Sequence, residues 1–99
     1  MTKFEPATDQ YGRRVYTEGD PVFTADRQPI KQGMRVFTNN LDRGTVDLDR
    51  ATYEWHPGEN RWVLWFKVIC DTSYKGEPMN TSYLQSDDRV ATRFEGRNA

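Results

Sequence analysis

Arg61-Trp62-Val63-Leu64-Trp65-Phe66-Lys67-Val68-Ile69-Cys70-Asp71 decides the fold of this 99-residue chain. In an extended strand, residues two apart share a face. One face of this stretch carries Trp62, Leu64, Phe66, Val68 and Cys70, the other Val63, Trp65, Lys67 and Ile69. A strand apolar on both sides belongs in the middle of a curled sheet, packed on a core inside and partly covered outside. A helix is the competing reading. The crowd of β-branched and aromatic residues and the preceding Pro57-Gly58 turn favour the strand.

Upstream, His56–Asn60 is a Pro-Gly loop preceded by Tyr53–Trp55, a polar break at Asp49–Thr52 and a strand at Thr45–Leu48. Asn39–Gly44 is turn chemistry between that strand and Met34–Thr38, since Asn and Gly tolerate positive φ. Arg14–Thr17 and Val22–Thr24, around Gly19-Asp20-Pro21, read as an N-terminal hairpin spanning Val15–Thr24. Downstream, a loop at Thr72–Pro78 leads to a strand at Met79–Gln85. A tight or 3₁₀ turn at Ser86–Arg89 and a last strand at Val90–Phe94 follow. No window of ten residues carries a 3.6-residue apolar period. The expectation is all-β: a small SH3-like barrel of five to seven short strands with an N-terminal β-hairpin extension, which closure would rid of exposed edges. Residues 1–13 form a flexible N-terminal arm, 14–94 the single barrel domain and 95–99 a frayed C-terminal tail. The expected core is Val36, Val46, Leu48, Tyr53, Trp55, Trp62, Leu64, Phe66, Val68 and Val90.

Composition narrows the function. Fourteen Lys and Arg oppose fifteen Asp and Glu, and residues 1–50 hold eight of each, so no basic half is set apart for nucleic acid. Thirteen aromatics argue against a disordered polyampholyte. One cysteine excludes an intrachain disulfide, and without an N-terminal apolar h-region the chain reads as cytosolic, with Asn80-Thr81-Ser82 a chance sequon. The longest apolar run, Trp62–Phe66, is far too short for a membrane span.

Gly33-Met34-Arg35-Val36, Arg43-Gly44-Thr45-Val46, Trp62–Asp71 and Asp88-Arg89-Val90 together resemble the small SH3-like barrels, among them KOW, CAP-Gly and Tudor-type modules. The likeness covers Lys31–Phe94. Unlike KOW modules, the chain has Asn39 and Asn40 rather than further glycines ahead of Gly44, and it lacks the glycine-rich groove of CAP-Gly domains. Gln32–Gly44 and Ser86–Phe94 are also similar to small actinobacteriophage proteins, notably mycobacteriophage proteins of unknown function. That second resemblance implies synthesis in the cytoplasm of an infected bacterium, and a partner that is a host bacterial protein.

Chemistry-bearing residues are few. Nucleophilic catalysis by Cys70 requires His56, the only imidazole, within hydrogen-bond reach, whereas the plain reading is a buried small hydrophobe and a loop residue. Asp47 with Asp49 reads as a solvated face, and Asp87-Asp88 as a turn cap. No catalytic residue, metal site or cofactor is expected. The expected contact surface is aromatic: Trp65, Tyr74 and Tyr83 with Arg61, the types that dominate protein–protein hot spots. The competing reading has the Val15–Thr24 hairpin covering that face, and a homodimer through it is a further possibility. The alternative functions are a KOW-like nucleic-acid contact through Arg13, Arg14, Arg89 and Arg93, provided the terminal strands are adjacent, and a minor virion or self-assembling structural role.

Overall fold

Six strands run through the computed structural model, which describes residues 3–94: β1 Ala7–Thr8, β2 Arg14–Val15, β3 Arg35–Phe37, β4 Arg43–His56, β5 Arg61–Thr72 and β6 Pro78–Ser86. A single 3₁₀ turn, Asp87–Arg89, follows β6. All strand pairs are antiparallel, in the order β1-β2-β4-β5-β6, and β3 lies beside the start of β4. The fold is all-β, an open six-stranded sheet compatible with a small barrel-like domain.

β5 is central, paired with β4 from Arg61 to Thr72 and with β6 from Trp65 to Thr72, as its two apolar faces require. Leu64, Phe66, Val68 and Cys70 point inward and are fully buried. β4 departs from the expected break at Asp49–Thr52, because it is one strand of fourteen residues. Arg50 takes φ 62°, the pairing with β5 shifts between Asp47 and Thr52, and the inward set changes from Val46 and Leu48 to Ala51 and Tyr53. Three extra residues explain all three observations: β4 advances five positions between Asp47 and Thr52 while β5 advances two between Lys67 and Trp65. This odd excess forms an extended β-bulge that bends the strand and flips its parity without ending it. The polar Asp49-Arg50 pair is the part that bulges into solvent.

The remaining core comes from outside the sheet. Val22, Ile30 and Val90 join Val36, Val46 and the β5 side chains in one buried cluster. Trp55 and Trp62, expected inside, sit at its rim. They face each other at the hairpin end of β4 and β5 and stack edge-to-face at 5.3 Å, with Trp55 40% exposed. Lys3 lies 4.6 Å over Trp55 and Arg14 5.0 Å over Trp62, so cations close that end of the core.

An N-terminal hairpin exists, but not between Val15 and Thr24. It joins β1 to β2, with Ala7 opposite Val15, and so draws on residues 1–13, expected as an arm. Phe4 also packs on the core, meeting Tyr53 edge-on at 5.7 Å. Val22–Thr24 instead belongs to a tight loop in which Thr24 donates to the Gln28 carbonyl and Ile30 to the Val22 carbonyl. The expected strand at Val90–Phe94 is reduced to one bridge, Phe37 to Ala91. Asp26 holds this segment, accepting the Thr92 amide and hydroxyl. The expected tail, 95–99, lies outside the described residues.

Candidate functional site

Cross-strand register determines which side chains meet. On the outer face of β5, Trp65 pairs with Thr52 and Ser86, Lys67 with Asp47 and Leu84, and Ile69 with Thr45 and Ser82. Leu84 is 67% exposed and Ile69 42% exposed, while Trp65 is half-buried. Val63, on the same side of β5, is buried and leaves the exposed row. A groove of about 470 Å³ opens here, with Trp65, Leu84 and Lys67 on one side and Asp47, Asp49 and Glu54 on the other. No residue of 15–24 lines it. Among the described residues neither Asp49 nor Glu54 is engaged in an ion pair.

The four residues expected to form one contact surface are therefore dispersed. Trp65 lines this groove. Tyr83 lies opposite Val68 on the inner face, half-buried against the core, so it cannot rim a patch with Trp65. Tyr74 is 63% exposed in the β5–β6 loop, its amide donating to Asp42 Oδ1 at 3.0 Å. Arg61 is at the far end of β5, committed to carboxylates. Leu84, not Tyr83, lies on the face of Trp65. Tyr83 and Leu84 are sequence neighbours on one strand and necessarily face opposite ways. A slip of one residue in pairing exchanges them, and the sequence alone carries no such register.

Around Arg61 the geometry is structural. Its guanidinium meets Asp87 through two bonds of 3.1 and 3.2 Å and Glu59 at 2.9 Å, with Asp88 at 3.6 Å. Asp87 is buried and also accepts the Leu64 amide at 3.2 Å, which pins the 3₁₀ turn to β5. Burial pushes the Asp87 carboxyl above the ordinary carboxylate value, while Arg61 and the Leu64 N–H pull it back. The hydrogen bond to Asp87 raises the Arg61 guanidinium further still, against its partial desolvation. Alongside lies a second hollow of about 680 Å³, walled by Phe4, Val22, Phe23, Trp62 and this ion pair.

His56 and Cys70 do not meet. His56 pairs across from Arg61 and Cys70 across from Gly44, so they stand about 30 Å apart along the sheet. Cys70 is buried, and burial raises its thiol pKa. His56 Nδ1 accepts the Glu59 amide at 3.1 Å. Among the described residues no group of three or more His, Cys, Asp or Glu is placed to hold a metal ion.

The arginines expected at a nucleic-acid surface are not assembled by adjacent terminal strands. β2 lies on β4, whereas the C-terminal segment bridges to β3. Arg13 binds Asp9 at 2.8 Å, Arg14 lies 3.4 Å from Glu5 and Arg93 lies 3.9 Å from Asp26. Arg89 directly follows Asp87 and Asp88 in the 3₁₀ turn.

Comparison with protein-family models, curated proteins and solved structures finds no match for this chain. Among the described residues no helix is long and apolar enough to cross a membrane.

Proposed function

We propose that this chain is a non-enzymatic interaction module whose outer sheet face, around Trp65 and Leu84, binds a protein partner. The observation that carries this reading is the placement of Leu84, 67% exposed, beside Trp65 and Ile69 on one face. An exposed leucine on a regular strand gains about 1.5–3 kcal/mol on full burial, and a tryptophan beside it supplies the large rigid contact typical of hot spots. Asp49 and Glu54 flank the row with free carboxylates, which suits a partner presenting an apolar side chain bordered by lysine or arginine. On the resemblance of Gln32–Gly44 and Ser86–Phe94 to mycobacteriophage proteins, the module is phage-encoded and the partner is a host bacterial protein in the bacterial cytoplasm.

The nucleic-acid alternative draws less support, because Arg13, Arg14 and Arg93 each already face a carboxylate. Phosphate would have to compete with those carboxylates for the guanidinium groups.

The test is capture from a bacterial lysate, with nuclease, by the tagged chain and by Leu84→Glu, whose side chain lies in solvent. Leu84→Glu is expected to melt like the parent and to lose a stoichiometric host protein. Retention of that protein by Leu84→Glu, or its disappearance with nuclease, overturns the proposal.

A further inference from the structure

The two ends of the sheet are built differently. One end is β1, two residues long, too short to template another chain. The other is β6, nine residues, Pro78-Met79-Asn80-Thr81-Ser82-Tyr83-Leu84-Gln85-Ser86. Among the described residues nothing pairs with its outer side. Soluble edge strands ordinarily carry a lysine, an inward charge or a bulge that stops another strand from adding. β6 has no charged residue, and its pairing with β5 is unbroken from Trp65–Ser86 to Cys70–Thr81. Its protection is confined to Pro78 at the start, where the register with β5 shifts. A long, regular, uncharged edge is a strand-docking site.

We infer that the occupant of this edge is β6 of a second copy of the chain, antiparallel, about a two-fold axis at Ser82. Gln85 and Ser86 are buried, so the open edge ends at Leu84, and that register sets Ser82 against its own copy, Thr81 against Tyr83 and Asn80 against Leu84. Nothing charged within the strand opposes a like charge. Self-pairing is the arrangement in which both partners lose an open edge at once, and a two-fold closes the assembly at two copies. The formal charge of −1 per chain leaves little long-range repulsion between copies. Asp87, just past the strand, is neutralised by Arg61 at 3.1 Å. The contact is made by backbone groups along the strand edge, so it exists whether or not the Trp65–Leu84 face binds a partner.

Sedimentation of the purified chain across the micromolar range is expected to give a concentration-dependent species of twice 11.6 kDa, indifferent to added salt. Ser82→Lys, at an exposed position, places two ammonium groups face to face and is expected to restore a monomer that still unfolds cooperatively, with a Tm that no longer rises with protein concentration. Ser82→Cys supplies a positive reading. Residues facing each other across an antiparallel pair lie about 4.5–5.5 Å apart at Cα, inside the range a disulfide spans. The native Cys70 is buried and does not compete. Mild oxidation is expected to convert Ser82→Cys to a covalent dimer much faster than the exposed control Glu18→Cys. A monomer at every concentration, a dimer that survives Ser82→Lys, or cross-linking of Ser82→Cys no faster than the control overturns the proposal. None of these results bears on host-protein capture, which is read with Leu84→Glu.

Discussion

Gly44→Ala tests the packing of β4 on β5 at its tightest point. A Cβ at Gly44 lies 2.6 Å from the Ile69 carbonyl oxygen, 2.8 Å from Val68 Cγ1 and 2.9 Å from Cys70 Cα. Two of these three neighbours are backbone, so no rotamer change relieves them. Restoring ordinary contact to the carbonyl moves the strands apart by about 0.8 Å, enough to break ladder hydrogen bonds locally. Overpacking of this kind costs about 1–3 kcal/mol, and each lost backbone bond about 1 kcal/mol more. Replacing glycine also stiffens the unfolded chain, which returns about 0.4–1 kcal/mol. The net loss is about 3 kcal/mol, or a fall in Tm of about 12–24 °C for a domain of this size. Urea and thermal unfolding followed by fluorescence of the three tryptophans measures it. Gly33→Ala is the comparison, because Gly33 has φ 81° with nothing within 4 Å of the added methyl. That variant carries only the left-handed backbone penalty of about 1 kcal/mol. If Gly44→Ala costs no more than Gly33→Ala, β4 and β5 do not approach as described and the reasoning fails.

Other variants report on the polar links. Asp87→Ala leaves the buried Leu64 amide without an acceptor and is expected to cost about 1–3 kcal/mol, whereas Asp87→Asn, which can still accept that bond, costs clearly less in the same melts. Arg35 grips Asp71 through bonds of 2.6 and 2.9 Å and holds its carboxyl at about 2, below the ordinary 3.8. Because the folded value is depressed, this link stabilises above the unfolded value of 3.8 and is lost as pH falls towards about 2. Carboxyl NMR titration of Arg35→Gln is expected to return Asp71 towards 3.8, and an unmoved titration refutes the assignment. Asp26→Ala removes the acceptor of the Thr92 amide and hydroxyl, so hydrogen exchange at Thr92 is expected to accelerate while amides of β5 stay protected.

That the chain is all-β, with Arg61–Asp71 as its central strand and one alternating row of that strand packed inside, is written in the residue pattern. Leu64, Phe66, Val68 and Cys70 are inside because period-two alternation is a local property of an extended backbone. The turn at His56–Asn60 and the 3₁₀ turn after Ser86 were legible for the same reason, being written in Pro, Gly and Asp. Tertiary structure alone decided the rest. Continuity of β4 through Asp49-Arg50 required a bulge held by its neighbours, since the local composition reads as a break. The hairpin at β1 and β2 has two-residue strands, too short to show alternation, and exists through its pairing with Thr52 and the packing of Phe4. The exchange of Tyr83 for Leu84 beside Trp65 followed from pairing offset, a relation between strands that neither strand encodes alone. The engagement of Arg13, Arg14, Arg61 and Arg93 by carboxylates likewise depends on chain segments meeting in space, as with Arg61 and Asp87, twenty-six positions apart.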